Sequence, residues 1–269
     1  MANENVVALR GYFNNDTCMN NLRAMLGQKA QGFVTSVLSV VNNSTLLQKA
    51  DPKSIYSSAM VAASLDLPIN PNLGFAAIVP YGSQAQFQIM TRGLIQLAIR
   101  SGQYEKICNA AVHEGELVKY DPFKDDYEFD ASKRTGDKVI GYMAYFRMVG
   151  GYEKYLYMTA EEVLAHGKKY SKTFNSGPWK DNTEAMCLKT VLKLLLSKFG
   201  ILSIEMQRAI KFDQGFINND GGMVKSVEDI DATDVTYDDN PMNDNKPEET
   251  PDEKKEKLRK ERKAKEPMP

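Results

Sequence analysis

The sequence has few of the residues from which catalytic and metal sites are usually built. Its 269 residues include three cysteines, two histidines and one tryptophan. The cysteines, Cys18, Cys108 and Cys187, are far apart and form no CxxC pair or Cys/His metal spacing, so reduced thiols are expected. With only two histidines, Ser/His/Asp or Cys/His catalysis is poorly supplied.

Long apolar runs are also missing. No run approaches the roughly 20 residues that a membrane-spanning helix needs. The first residues, MANENVVALRGYFNND, do not show the basic segment followed by an apolar segment that is typical of a signal peptide. We therefore expect a soluble cytoplasmic protein without a membrane partner.

A phosphate-binding loop is absent as well. The stretch GQKAQGFVT, which begins at Gly27, has two glycines at P-loop spacing, but Phe33 and Val34 stand where Lys and Ser/Thr are required. Without those groups there is neither a cation for the phosphates nor a magnesium ligand. Nucleotide hydrolysis is therefore not expected.

One short cluster, HEGE at residues 113–116, suggests metal chemistry. On a strand, Glu114 and Glu116 would share one face while His113 points the other way. Such a carboxylate pair could hold Mg²⁺ in a nuclease, although an exposed strand end explains it equally well. A magnesium-dependent nuclease is thus one alternative function.

The formal net charge of −1 conceals two different segments. Residues 1–217 contain 24 basic and 20 acidic residues, whereas residues 218–269 contain 10 basic and 15 acidic residues. The second segment is acidic over 226–253 and basic over 254–266, and it has few large apolar groups. We predict a folded core domain over 1–217 and a disordered tail over 218–269.

Hydrophobic periodicity predicts an α+β fold for the core. Residues 1–70 have helical spacing, with Asp16 or Thr17 as one N-cap and Asp51 before Pro52 as another. Two apolar runs around a Tyr-Gly-Ser turn predict a β-hairpin over 73–90, followed by a helix ending at Gly102.

The second half of the core is predicted to be a mainly antiparallel sheet with packed helices. Strands are expected at 104–114, 138–149 and 152–158, and TAEE, residues 159–162, is a capping box that opens a helix. In the earlier hairpin, Gln84, Gln86 and Gln88 alternate with apolar residues, which predicts one amide-lined face.

The most informative stretch is SGPWKDNTEAMCLKTVLKLLLSKFG, residues 176–200, a closing helix with Asp181 as its expected cap. Its apolar residues cover an arc of roughly 140°, and Lys189 and Lys193 stand one turn apart at the edge of that arc. No carboxylate of the helix is placed to neutralise them, and like charges at this spacing cost a few tenths of a kcal/mol.

The surroundings of this helix are basic. Between His166 and Lys198 there are seven lysines against Asp181 and Glu184, and the tryptophan, Trp179, lies among them. Lysines with aromatic or amide groups nearby are typical of proteins that bind single-stranded nucleic acid. The alternatives are solvated lysines on an assembly protein without a nucleic-acid role and, for Trp179, a core anchor.

Three motifs in this order, NLGFAAIVPYGSQAQFQIMTRGLIQLAIRSGQYEKI, GPWKDN and MCLKTVLKLLLSKFGILSIEMQ, resemble the RecT/Red-beta family of phage single-strand annealing recombinases. The resemblance covers about residues 30–210. It implies an ATP-independent protein that binds single-stranded DNA, anneals it with a complementary strand and holds the annealed duplex DNA. It also implies a homo-oligomeric ring or helical filament, with residues 1–70 as the oligomerising part and the DNA in a basic groove. The residues expected to line or support that groove are Gln86, Gln88, Arg92, Arg100, Lys168, Lys169, Lys172, Trp179, Lys180, Lys189, Lys193 and Lys198.

The resemblance also implies a setting and partners. No cofactor is expected, with Mg²⁺ serving as a DNA counterion, and the protein would act in a bacterial cytoplasm, encoded by a phage or prophage. A host single-strand-binding protein or a partner exonuclease would dock on the C-terminal tail. One departure is Gln84, where relatives often have Arg, so a phosphate contact near the hairpin tip is not carried over.

Overall fold

The computed structural model describes residues 4–171, 174–175 and 177–213, together with the backbone of 216–217 and 223–224. All of these belong to one unit, Met1–Val227. The architecture is α+β, with N-terminal helices followed by antiparallel sheets and packed helices, which confirms the predicted fold class. The predicted boundary at 217/218 stays a prediction, because only residues 223–224 of the predicted tail are described.

Four helices form the N-terminal part: α1 (Glu4–Asn14), α2 (Asp16–Leu26), α3 (Ala30–Asn42) and α4 (Pro52–Ser64). The N-cap of α2 is Asn15, whose side chain accepts from the amides of Thr17 and Cys18, rather than Asp16 or Thr17 as predicted. The cap of α4 is Asp51, as predicted. These helices bury a common set of apolar side chains, among them Leu9, Phe13, Leu22, Val37 and Ile55.

A β-hairpin follows, made of β1 (Ala76–Tyr81) and β2 (Gln84–Ile89), and it leads into α5 (Thr91–Arg100). Helix α4 lies along the outer edge of β2. There the Ala85 amide donates to Ser54 Oγ at 2.8 Å, and Ser58 Oγ donates to the Ala85 carbonyl at 3.2 Å. Two serines therefore satisfy backbone groups that an edge strand would otherwise leave unpaired.

The largest sheet has the strand order β3-β6-β7, with β3 (Tyr104–His113), β6 (Val139–Met148) and β7 (Glu153–Thr159). All three strands lie where the sequence predicts them. One face packs against α8 (Thr183–Phe199), where Asn109 donates to the Leu188 carbonyl at 3.0 Å. The N-cap of α8 is Asn182, not Asp181, which instead ends the short α7 (Pro178–Asp181).

Two further helices complete this region. The capping box predicted at residues 159–162 is present and opens α6 (Ala160–Tyr170). Helix α9 (Ile204–Phe212) follows α8 and was not predicted. Among the described residues, no helix is long and apolar enough to cross a membrane.

The opposite face of the sheet is covered by a hairpin that the sequence did not predict, β4 (Leu117–Asp121) with β5 (Asp126–Phe129). It contributes to a small aromatic cluster in which Phe129 lies 5.8 Å from Tyr155 and 6.0 Å from Tyr157, measured between ring centroids. In its sequence these apolar side chains alternate irregularly with aspartates and lysines, which is a pattern typical of a polar loop. Two short strands, β8 (Phe216–Ile217) and β9 (Met223–Val224), pair further along the chain.

Candidate nucleic-acid interface

The two lysines at the edge of α8 face one buried carboxylate, that of Asp213, which directly follows α9. Lys193 Nζ lies 2.6 Å from Asp213 Oδ2, and Lys189 Nζ lies 3.8 Å from Oδ1. The Asp213 side chain is 0% exposed, and its Oδ1 also accepts from the amide of Ile89 in β2 at 3.0 Å. The lysines are therefore neutralised in part, by an aspartate 20 residues beyond Lys193 in the sequence.

Within the part of the chain that the structure describes, the formal charges of this cluster do not balance. Burial lowers the pKa of Lys189 and neighbouring Lys193 lowers it further, whereas Asp213 opposes both effects. Burial raises the pKa of Asp213, but the two lysines and the Ile89 amide more than offset it, so the pKa lies below its usual value. One carboxylate thus serves two ammonium groups. The surplus positive charge is nearest to solvent at Lys193, whose side chain is 21% exposed, against 10% for Lys189.

Helix α6 brings further cations to the same place. Its His166 packs against Tyr170 with ring centroids 4.5 Å apart. Burial, and then the charges of Lys193 and Lys169, lower the pKa of His166. Helix α6, whose last turn carries Lys168 and Lys169, packs against α8, which carries Lys193.

The other predicted lysines are at the surface, apart from one that is not described. Lys168, Lys180 and Lys198 are exposed, and Lys198 Nζ lies 5.2 Å from the centroid of the Phe199 ring. Lys172 lies outside the described residues. Lys168 and Lys169 end α6, and Lys180 is in α7, which follows it in sequence.

Trp179 is buried as a core anchor, the alternative that the sequence left open beside a contact with DNA. The side chain is 6% exposed, and its ring lies 5.3 Å from that of Phe174. It rests directly on Gly167 of α6: a Cβ at that position would lie 2.5 Å from Trp179 Cη2. The tryptophan therefore fixes α7 against the last turns of α6, which carry Lys168 and Lys169.

The amide-lined face of the hairpin is largely closed to solvent. Gln86 is buried, at 4% exposure, and Gln88 is half-buried. Strand alternation alone would place both on a solvent-facing side, but the packing of neighbouring elements closes that side at Gln86. The burial of the Gln86 side chain therefore argues against a direct contact with nucleic acid.

The two predicted arginines have backbone partners. Arg100 donates to the carbonyls of Leu65 and Asp66, at 2.7 and 2.8 Å, and so satisfies the C-terminal end of α4. Arg92 donates to the Leu73 carbonyl at 3.3 Å and remains exposed. Arg100 thus has a structural role, but both arginines are exposed, and their contact with DNA stays a prediction.

The HEGE cluster does not have the geometry that the nuclease alternative needs. Strand β3 ends at His113, and Gly115 has a φ of +87°, so Glu114 and Glu116 do not share a strand face. Glu116 accepts from the His113 amide at 2.7 Å, an interaction that lowers the pKa of Glu116, whereas Glu114 faces Lys138. No group of three or more potential His, Cys, Asp or Glu metal ligands occurs within the described residues.

Asp213 is the residue of this site that sequence reasoning missed. No local motif marks it, because its partners lie in α8 and β2. The available signal was indirect: two lysines at the edge of an apolar arc, without a carboxylate partner in their own helix, favour a carboxylate from elsewhere in the chain.

Comparisons with known proteins identify the family of the chain. The sequence model of the RecT family matches residues 31–235. The chain is 50% identical over 202 residues to the Uncharacterized protein YqaK of Bacillus subtilis (strain 168), a match that covers 75% of this chain and 70% of that protein. It is 29% identical over 177 residues to Protein RecT of Escherichia coli (strain K12), covering 62% of this chain and 65% of that protein. The chain therefore belongs to the RecT family, which acts in DNA recombination by single-strand annealing.

Proposed function

We propose that this protein binds single-stranded DNA through the lysines of α6, α7 and α8 and anneals complementary strands without hydrolysing ATP. The observation that carries the proposal is the surplus of positive charge at the edge of α8, where Lys189 and Lys193 share the single described carboxylate of Asp213. The missing P-loop is consistent with annealing that needs no nucleotide.

The chemistry of such a site suits annealing. Ammonium groups bind phosphates whatever the base sequence, so they hold a strand in register without reading it. Base edges that are left accessible can then test a second strand, and Watson–Crick pairing itself supplies the specificity. An oligomer, either a ring or a helical filament, would extend this surface along a long strand, with Mg²⁺ acting only as a counterion.

The test mixes two complementary labelled oligonucleotides with the protein in the absence of ATP, with either Mg²⁺ or EDTA. Duplex formation should accelerate severalfold under both conditions, with the strands remaining at full length on a denaturing gel. Electron microscopy of the same mixtures reports whether rings or filaments form.

Each alternative predicts a different result. Shortened strands that appear only with Mg²⁺ would support the nuclease. The absence of salt-dependent binding would support an assembly protein without a nucleic-acid role. Either result would contradict the proposal.

A further inference from the structure

We infer that Asp213 is a positioning residue of the DNA interface, which holds the Lys193 ammonium at a fixed place between α8 and β2. This inference rests on the proposed function and assigns to it a residue outside the basic helix. Asp213 would not touch DNA, since its side chain is fully buried.

The contacts of Asp213 join three parts of the fold. One oxygen contacts Lys193 Nζ at 2.6 Å, while the other accepts from the Ile89 amide at 3.0 Å. The carboxylate thus connects the start of the segment after α9 with the middle of α8 and the end of β2. A lysine side chain in water samples many rotamers, and it loses that freedom when it binds a phosphate. Lys193 has lost part of that freedom before DNA arrives, which favours binding.

Lys189 explains why the Asp213 carboxylate can hold the Lys193 ammonium without cancelling the positive charge of the site. A lone Lys193–Asp213 pair would be close to neutral and would attract a phosphate weakly. Lys189 is buried on the other side of the carboxylate, 3.8 Å from Oδ1, so the formal charges of the three groups sum to one net positive charge. Lys189 therefore supports the interface from within, without contacting DNA.

The test measures single-stranded DNA affinity over a range of salt concentrations. Asp213→Asn alone would leave Lys189 buried beside an uncharged partner, so the informative variant is the charge-balanced pair K189M/D213N. It is compared with Lys193→Met and with the triple variant K189M/D213N/K193M. Lys133→Met, an exposed lysine in the turn beside Gly115, is the control for losing one positive charge.

If Asp213 acts through Lys193, K189M/D213N and Lys193→Met should each weaken DNA binding roughly fivefold. Each should also reduce the slope of log affinity against log salt concentration by about 0.7, the value for one lost phosphate contact to a single strand. Adding K193M to the pair should then cost little more. A purely structural role would lower the melting temperature without changing the slope.

Four outcomes would overturn the inference. Tighter DNA binding by K189M/D213N would make Asp213 a competitor of phosphate, and an unchanged salt slope in that variant would leave Asp213 without a role at the interface. The other two are a full additional loss of affinity in the triple variant and a Lys133→Met control that loses as much slope as Lys193→Met. If K189M/D213N does not fold, Asp213→Glu is the second variant, because it moves the carboxylate while keeping its charge. Wild-type DNA affinity and salt slope in Asp213→Glu would also contradict the inference. A wild-type protein that does not bind DNA would instead refute the proposed function.

Discussion

Gly167 lies beneath the tryptophan ring, and replacing it with alanine tests the packing that fixes α7 to α6. An added Cβ would lie 2.5, 2.7 and 2.8 Å from Trp179 Cη2, Cζ2 and Cζ3. These atoms belong to one rigid ring, so no single flexible end can move aside. The indole or the helix must shift as a whole.

The expected magnitude is the difference between two opposing effects. Alanine is favoured over glycine within a helix by about 1 kcal/mol. Overpacking a well-filled site costs typically about 1–3 kcal/mol. Gly167→Ala should therefore destabilise the protein by about 1 kcal/mol, which lowers the melting temperature by roughly 2–4 °C in a domain of this size.

The assay uses the fact that Trp179 is the protein's one tryptophan. Its fluorescence reports directly on the contact, while circular dichroism follows unfolding. Gly11→Ala is the matched control: Gly11 lies in α1, and nothing within 4 Å would meet its Cβ. That control should stabilise the protein by about 0.5–1 kcal/mol.

A double-mutant cycle isolates the contact. Trp179→Phe removes the outer part of the indole, so Gly167→Ala should cost less in that background, with a coupling of about 1 kcal/mol or more. If Gly167→Ala raises stability as much as Gly11→Ala does and leaves the fluorescence unchanged, the reasoning about this packing is refuted.

Two other predictions concern pH and the C-terminal segment. The pKa of His166 lies below its ordinary value of 6.5, so the folded protein binds fewer protons than the unfolded chain. The stability that the protein has above pH 6.5 should therefore fall as the pH drops below 6.5 and through the folded pKa. His166→Gln should make the melting temperature less dependent on pH between about pH 7 and pH 5. An equally steep fall of the melting temperature in that variant would contradict this. Removing residues 218–269 changes the formal net charge from −1 to +4. Non-specific binding of single-stranded DNA should then tighten at low salt, and equal or weaker affinity in a titration would count against competition between the acidic stretch and DNA.

The RecT family was recognised from the sequence, and so was much of the fold, because these inferences rest on local patterns. Strand alternation, the turn at Gly82 and the capping box at residues 159–162 each depend on residues close together in the chain. Such local signals do not depend on tertiary contacts, and they correctly predicted the positions of the three strands of the main sheet. They failed for β4 and β5, whose apolar side chains stand among charged ones and pack on a face formed by distant strands.

The roles of individual site residues depend on contacts between distant parts of the chain. The sequence by itself determined that the region from His166 to Lys198 is basic and lies in helices at the end of an α+β core. Only the tertiary structure decided that Trp179 packs on Gly167 and that Asp213 joins α8 to an amide 124 residues away. The physical reason is that a charge or ring acquires its role from what surrounds it after folding. Desolvation and ion pairing depend on distance in space, which spacing along the chain does not specify.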